Sequence, residues 1–450
     1  MQDFSSGNIG RQILTFSLPM LAGNVFQQLY NVVDTIIIGR FIGTEALAAA
    51  GASFPVIFVL VSLVIGITTG LSVIISQYYG AKDFEKIKRA IDTGIVFLFI
   101  ASIVLTIFGL AIIGYIWKLL SLPEYLVADA TLYFNIYAIG LIFLFGYNGV
   151  SSVLRGLGDS KTPLYFLIIS TLLNIVLDLL FVLVFGWGIA GVAIATVIAQ
   201  GVSFVLCVVY LNRYHPIIRV SAVGLGFDRE IFRNSLRIGI PTGMQHTFVA
   251  LGMMALMRLV SGFGTNTIAA YTIAVRIDSF AAIPAMNFGM ALSTFVGQNL
   301  GANKPERVSA GLKSTLIMSS IVSLAVTSIA WIFGRQIMGI FSADQEVIEI
   351  GYQYLTIVST FYILFSAMFA TNGVLRGAGD ALMPMLITLF SLWIFRIPSS
   401  YFLSLEMGTN GIWWGIPIAW FVGWIFSHLY YKSGKWKNKV IAKPKATLIE

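Results

Sequence analysis

The sequence reads Val-Leu-Arg-Gly-Leu-Gly-Asp-Ser-Lys-Thr-Pro at residues 153–163, and a second copy reads Val-Leu-Arg-Gly-Ala-Gly-Asp-Ala-Leu-Met-Pro at residues 374–384. The copies are 374 − 153 = 221 residues apart, and their arginine, both glycines, aspartate and proline fall in register. Each copy lies between two long apolar segments, so each is a short polar loop that joins two membrane-sized helices. In a chain of 450 residues, this spacing indicates one structural unit written twice.

The composition indicates a membrane protein. Hydrophobic residues make up 58% of the chain and charged residues only 11%, against about 45–50% and about 25% in a typical soluble domain. A soluble protein this apolar could not cover its own surface with polar groups. The net charge of +8 does not indicate a nucleic-acid partner, because the basic residues lie in short loops between apolar segments instead of on one face of a soluble element.

The apolar segments predict the architecture. A helical span needs about 20 apolar residues, and twelve segments qualify, from 13–38 to 411–431, with 126–150 and 350–373 as the fourth of each half. We therefore expect an all-α polytopic membrane protein with twelve transmembrane helices in two parallel six-helix repeats. The repeats are parallel because six is even, so both halves enter from the same side.

The expected organisation has four parts. An N-terminal six-helix lobe covers 1–212, an inter-lobe linker covers 213–233, a C-terminal six-helix lobe covers 234–431, and a basic tail covers 432–450. Most of the 28 Lys and Arg residues fall on one side of the membrane when the N-terminus is placed inside. The positive-inside rule then predicts that both termini, the linker and the tail are cytoplasmic. The expected location is the plasma (bacterial cytoplasmic) membrane.

Two carboxylates lie inside predicted spans of the first half, where a charge costs about 2.5–3.5 kcal/mol and usually marks function. Asn174 precedes Asp178 by four residues, so both lie on one helix face. Asp178 is nine residues before Trp187 and Thr196 nine after it, so an antiparallel helix pair brings them to one depth. Asp34 lies at a comparable depth in the first span. This oxygen-rich set suits Na⁺ or a shared proton, although a buried polar cluster that only fixes helix packing is the alternative.

Two further features repeat between the halves. Gln-x-x-Gly-Ala occurs at 77–81 and 298–302, and the first span of each half contains a proline, Pro19 or Pro241. Together with the duplicated Leu-Arg-Gly-x-Gly-Asp-x-x-x-Pro, these motifs resemble the multidrug and toxic compound extrusion (MATE) family over essentially residues 10–430. The resemblance implies two six-helix lobes arranged as a V around a central cavity. It also implies secondary antiport of organic, often cationic and aromatic, compounds against Na⁺ or H⁺.

The resemblance also implies roles for individual residues. Positions of the family's N-lobe cation site are matched by Asp34, Asn174, Asp178 and Thr196. Tyr30 and Asn148 match neighbours that support this site. Pro19 is expected to act as a hinge, because the hydrogen bond that a proline lacks makes a helix easy to bend.

The second half departs from some members of the family. Its stretches 239–259 and 353–373 contain no interior Asp or Glu, so a cation site of the kind those members build there is not expected. Four polar residues are candidates for a substrate cavity, and structural support is the alternative for each: Gln245, His246, Arg276 and Asp278. Arg258 and Arg396 lie near span ends and are expected to extend toward the membrane surface.

Several classes of function are not expected. The chain has no phosphate-binding loop and no metal-ligand spacing among its three His and one Cys, so we expect no cofactor and no enzyme activity. The expected partners are small organic substrates and membrane lipids, without nucleic acid, and one chain contains a whole cavity and should function as a monomer. A flippase for a lipid-linked saccharide is the alternative within transporters, and a non-transporting receptor or scaffold is the alternative outside them.

Overall fold

A computed structural model describes residues 2–215, 219–220 and 224–442, and these residues form helices and loops without a β-strand. The first half contains α1 (Ile9–Ile37), α2 (Thr44–Gly80), α3 (Phe84–Leu119), α4 (Glu124–Ile139), α5 (Leu141–Gly156), α6 (Lys161–Leu179) and α7 (Gly188–Tyr214). The second half contains α8 (Arg229–Ser261), α9 (Thr265–Gly301), α10 (Pro305–Phe341), α11 (Gln345–Ser359), α12 (Tyr362–Gly377), α13 (Leu382–Phe390), α14 (Ile397–Met407) and α15 (Thr409–Lys432). Single π-helical turns occupy Ile38–Ile42, Leu180–Val184 and Ser391–Arg396.

The helices account for two repeats of six spans. Eight described helices are long and apolar enough to cross a membrane, and two bent pairs, α4–α5 and α11–α12, bring the number to ten. The first helix of each repeat, α1 or α8, is 29 or 33 residues long but carries more polar side chains. Helices are expected here, because a membrane cannot satisfy backbone groups and a helix pairs them internally. The predicted all-α fold of two six-helix repeats is confirmed.

The fourth span of each repeat differs from its prediction. It is expected as one continuous helix, but α4 and α5 meet at 45° and α11 and α12 meet at 48°. The first bend lies at Gly140, where an added Cβ would come within 2.3 Å of a Val197 methyl group. Glycine weakens a helix and permits this close approach. The sequence did not predict this bend, because a single glycine within an apolar run does not by itself indicate one.

The described residues form two compact units. Unit 1 comprises Leu18–Ile240 with Gln2 and Asp3, and unit 2 comprises Phe4–Ser17 and the residues from Pro241 onward. Both boundaries thus fall inside the first helix of a repeat, beside its proline. The expected lobe limits at 212 and 234 stay predictions, and the linker 213–233 and the tail 432–450 lie partly outside the described residues.

The duplicated polar motif closes a helix in each unit. The Asp159 nitrogen donates to the Leu154 carbonyl oxygen at 2.8 Å, and the Asp380 nitrogen makes the equivalent bond at 2.9 Å. Gly158 and Gly379 have φ of +82° and +93°. This left-handed conformation ends a helix while pairing its last carbonyls, and glycine adopts it without strain. The two copies of the motif therefore have the same spacing because each forms the same helix-terminating turn.

The second copy of Gln-x-x-Gly-Ala holds the N-terminal segment of unit 2. Phe4 is fully buried, and its nitrogen donates to Gln298 Oε1 at 2.9 Å. Its carbonyl oxygen accepts from Asn299 Nδ2 at 3.2 Å and from Arg307 at 3.1 Å. The Phe4 ring packs edge-on against Phe16 with centroids 5.2 Å apart. These contacts attach the beginning of the chain to helices α9 and α10.

We predict that Gly373→Ala destabilises the protein. Gly373 in α12 crosses α9 so closely that an added Cβ would lie 2.3 Å from the Gly289 carbonyl oxygen. Backbone cannot yield as a flexible side chain can, and overpacking of this kind costs about 1–3 kcal/mol. Thermal unfolding of the detergent-solubilised protein should show a lower Tm.

Gly114→Ala in α3 is the matched control. Among the described residues, nothing beyond the neighbouring backbone of α3 lies within 4 Å of a Cβ at this position, so alanine should be neutral or stabilise the helix by about 0.5–1 kcal/mol. Equal melting temperatures for the two variants would contradict the close crossing of α9 and α12.

Candidate functional site

Three helices of unit 1 bring the predicted cation-site residues together. Asp34 lies in the last turn of α1, Asn174 and Asp178 lie one turn apart in α6, and Thr196 lies in α7. All four side chains are buried, with Asn174 and Asp178 fully enclosed. Helix α6 packs along α7, which is the antiparallel pairing that the sequence spacing requires. The four residues are thus neighbours inside one unit.

The Asn174 amide bridges the two carboxylates. In the orientation that turns its NH₂ group toward them, it donates to Asp34 Oδ1 at 3.0 Å and to Asp178 Oδ2 at 3.2 Å, and in the opposite orientation its oxygen faces them. The two carboxyl groups also lie within hydrogen-bonding reach of each other. Ionised carboxylates only accept hydrogen bonds, so a bond between them requires a proton on one of the pair. The arrangement can therefore hold a proton between two acids.

A tyrosine hydroxyl links the threonine to this pair. The Tyr30 hydroxyl lies 2.9 Å from Thr196 Oγ1 and is also a hydrogen-bonding neighbour of Asp34. Tyr30 precedes Asp34 by one turn of α1, so both face the same side. Tyr30, predicted as a supporting residue, thus lies in contact with the site.

One acceptor of the site has no partner. Asp178 Oδ1 is buried and accepts no hydrogen bond from the described residues. A buried polar atom without a partner is costly and calls for an explanation. A proton or a cation would satisfy it. The described part of the chain contains no group of three or more His, Cys, Asp or Glu residues that could hold a metal ion, so a cation at this site would take its further oxygen ligands from Asn174 and Thr196.

Three neighbours of the site were not predicted. Tyr133 and Tyr137 of α4 lie within electrostatic range of Asp34, and Gln200 of α7 hydrogen-bonds Tyr137. Gln200 follows Thr196 by four residues, and the two tyrosines are also four apart, so helical spacing was a usable signal. These side chains are uncharged, so the presence of charge inside a predicted span does not identify them.

Asn148 has a different environment. Its side chain donates to the Leu144 carbonyl oxygen at 2.9 Å, one turn earlier in its own helix α5. Within the described residues, the hydrogen bonds of Asn148 do not extend to Asp34 or Asp178. Its supporting role stays a prediction.

The four candidates in the second half have separate surroundings. Gln245 is buried and donates to Thr388 Oγ1 at 2.7 Å. His246 is partly buried and Arg276 is exposed. Asp278 accepts from the Tyr354 hydroxyl at 3.3 Å, and as expected for residues two apart on a helix it does not pair with Arg276. Their assignment to a substrate cavity stays a prediction.

The expectation for Arg396 is wrong. Its side chain is 9% exposed, whereas that of Arg258 is exposed as expected for an arginine at a span end. Arg396 closes the π-helical turn Ser391–Arg396, which packs against α15. A π turn shifts the register of the helix face and commonly occurs at functional sites. The side chain consequently points into unit 2 instead of toward the membrane surface.

A family model matches both repeats. The model described as MatE matches residues 19–180 and 241–402, so each match begins at the proline of the first helix of a repeat. Together the two matches cover well over half of the chain.

Named relatives and solved structures agree with this match. "Probable multidrug resistance protein YpnP" of Bacillus subtilis (strain 168) is 33% identical over 435 residues, which cover 97% of each chain. "Probable multidrug resistance protein YoeA" of the same organism is 33% identical over 451 residues, covering 98% of this chain and 97% of that one. The structure described as "Crystal structure of MATE in the bent conformation" has a TM-score of 0.90 at 24% identity, with 95% of each chain covered, which shows a common fold.

The duplicated motifs, the twofold match of the family model and the relatives of equal length all lead to one assignment. The members of this family are transporters that use ion gradients and need no cofactor, and they are not enzymes. This protein therefore belongs to the MatE family and is a multi-pass membrane transporter.

Proposed function

We propose that the protein is a secondary active antiporter that exports organic, cationic and aromatic compounds from the cytoplasm in exchange for H⁺ or Na⁺. The observation that carries the proposal is the buried pair Asp34 and Asp178, bridged by Asn174, with one Asp178 oxygen unpartnered. The names of the two Bacillus relatives, both probable multidrug resistance proteins, support efflux of organic compounds. In this proposal the protein works as a monomer in the cytoplasmic membrane of a bacterium, with both termini cytoplasmic.

Coupling follows from the charge of the pair. A cation that enters from outside neutralises one carboxylate next to the transport pathway and lowers the attraction for a cationic substrate. Cation and substrate then favour opposite states of the transporter, and each weakens the binding of the other by the same factor. The cation gradient therefore drives release of the substrate outward.

The site can serve either coupling ion, and the orientation of the Asn174 amide distinguishes the two. A hydrogen bond between Asp34 and Asp178 needs one proton on the pair, and an Asn174 NH₂ group turned toward both carboxylates suits this protonated pair. A sodium ion bound by Asp34, Asn174, Asp178 and Thr196 needs the Asn174 oxygen turned toward it, because Na⁺ takes oxygen ligands. The choice between H⁺ and Na⁺ is therefore left to the transport measurement.

Pro19 is the proposed hinge of the conformational change. It lies in α1 just after Ser17, where the chain passes from unit 2 into unit 1. A proline inside a helix removes one backbone hydrogen bond and lowers the cost of a bend. Because Asp34 lies on the same helix, protonation of the site and bending of α1 can influence each other.

We predict that Asp34→Asn abolishes gradient-driven export. The amide keeps the shape of the side chain but cannot carry the exchanged charge. Efflux of a fluorescent cationic dye from reconstituted vesicles should fall to the level of empty vesicles, under a proton gradient and under a sodium gradient applied separately. Wild-type export under only one gradient names the coupling ion. Full export by the variant would refute coupling through this site.

We also predict different effects of two polar side chains near the site. Tyr30→Phe removes a hydrogen bond to Thr196, and one such bond contributes about 0.5–1.5 kcal/mol, so affinity for the coupling ion should fall about 2- to 10-fold. Asn148→Ala removes only a bond within α5 and should leave affinity within about twofold of wild type. The measurement is the ion concentration that gives half-maximal efflux. Equal losses in the two variants would place Asn148 in the network.

A further inference from the structure

A second polar cluster lies in unit 2, apart from the carboxylate pair of unit 1. It is built by α9, α11, α12, α15 and the π turn between α13 and α14, and its members are Tyr271, Asp278, Tyr354, Tyr362, Arg396 and Trp413. All six residues belong to the same compact unit. The cluster has no assigned role in the proposed cation exchange, which uses residues of α1, α6 and α7.

The Asp278 carboxylate of this cluster accepts hydrogen bonds from tyrosine hydroxyl groups. The Tyr354 hydroxyl donates to Asp278 Oδ2 at 3.3 Å, and the Tyr362 hydroxyl is a second hydrogen-bonding neighbour of the same carboxyl group. Two hydroxyl donors directed at one carboxylate satisfy it without a cation. The unexplained atoms of the cluster are therefore not on Asp278.

Three other polar groups of the cluster lack a hydrogen-bond partner among the described residues. Arg396 Nε, Trp413 Nε1 and Tyr271 Oη are buried without a hydrogen-bond partner among the described residues, and their side chains are 9%, 0% and 3% exposed. Arg and Trp nitrogens can only donate hydrogen bonds. Each of these nitrogens therefore lacks an acceptor, and a buried guanidinium favours one that carries negative charge.

The surrounding rings hold these donors in a fixed arrangement. Tyr271 stacks on Trp413 with centroids 5.6 Å apart and planes 4° from parallel, and Tyr354 packs edge-on against Trp413 at 5.1 Å. Arg396 lies within electrostatic range of Tyr271, Tyr354 and Asp278. The described part of the chain has no ion pair between Arg396 and Asp278, so the guanidinium is available to another anion.

We propose that this cluster is a binding site for a small monovalent anion, held by Arg396, Trp413 and Tyr271. The anion is either free chloride or the carboxylate group of a transported compound, which share charge and hydrogen-bonding character. Asp278 is the opposing charge of the site. Because the anion and an ionised Asp278 repel each other, anion binding and protonation of Asp278 strengthen each other. The inference goes beyond the proposed cation exchange and does not depend on it.

The test compares thermal unfolding of the purified full-length protein in sodium chloride, sodium acetate and sodium gluconate at equal concentration. A bound anion stabilises the folded state by mass action, and gluconate is too bulky for a buried site. Wild-type protein should melt at a higher temperature in chloride or acetate than in gluconate. A shift with chloride alone assigns the site to the free ion, and a shift with acetate as well assigns it to carboxylates.

Variants determine whether the proposed residues are responsible. Arg396→Gln should lose the anion-dependent shift, Arg396→Lys should keep part of it, and Arg258→Gln, at an exposed arginine of the same unit, should keep all of it. Asp278→Asn should enlarge the shift, because it removes the opposing charge. If Arg396→Gln does not fold, the anion-dependent change in melting temperature of Arg396→Lys and Asp278→Asn still shows whether these residues form the site.

Three results would overturn the proposal. Equal melting of wild-type protein in all three salts would mean that only water fills the cluster. A full shift in Arg396→Gln would place the anion elsewhere. Loss of the shift in Asp278→Asn would show that the carboxylate supports binding instead of opposing it.

Discussion

A polar group inside a membrane-spanning helix must find its partner within the protein, because lipid chains offer none. Asp34 and Asp178 obey this constraint through one amide, since Asn174 reaches both carboxylates. The requirement brings side chains of α1, α6 and α7 together at one site. The arrangement of unit 1 around its site is therefore a consequence of burying two acids that cannot both be ionised at low cost.

The second repeat meets the same constraint with different residues. Tyr133 and Tyr354 occupy equivalent positions, 221 residues apart, and each lies near a carboxylate of its own unit. In unit 1 the acids lie in α1 and α6, whereas in unit 2 the acid lies in α9. The two repeats thus share the helical scaffold and one tyrosine, but they carry these carboxylates on different helices.

The sequence predicted the features that depend on local spacing. Asn174 and Asp178 were placed on one face by their separation, and the short connection at 186–188 brought Thr196 to their depth. Arg396 was misplaced because distance from a span end says nothing about a π turn, which changes where the side chain points. The bend at Gly140 was missed because its cause, close packing against Val197, is a contact between residues far apart in the chain.

The attachment of Phe4 has a consequence for biosynthesis. The Gln298 side chain that accepts its backbone hydrogen bond is 294 positions further along the chain, so Phe4 is synthesised long before the residue that holds it. Unit 1 extends beyond its sixth span to Ile240, so this unit is still incomplete when that span has been synthesised. A chain interrupted between the repeats would therefore separate Phe4–Ser17 from the rest of unit 2, and the N-terminal part of α8 from the rest of unit 1.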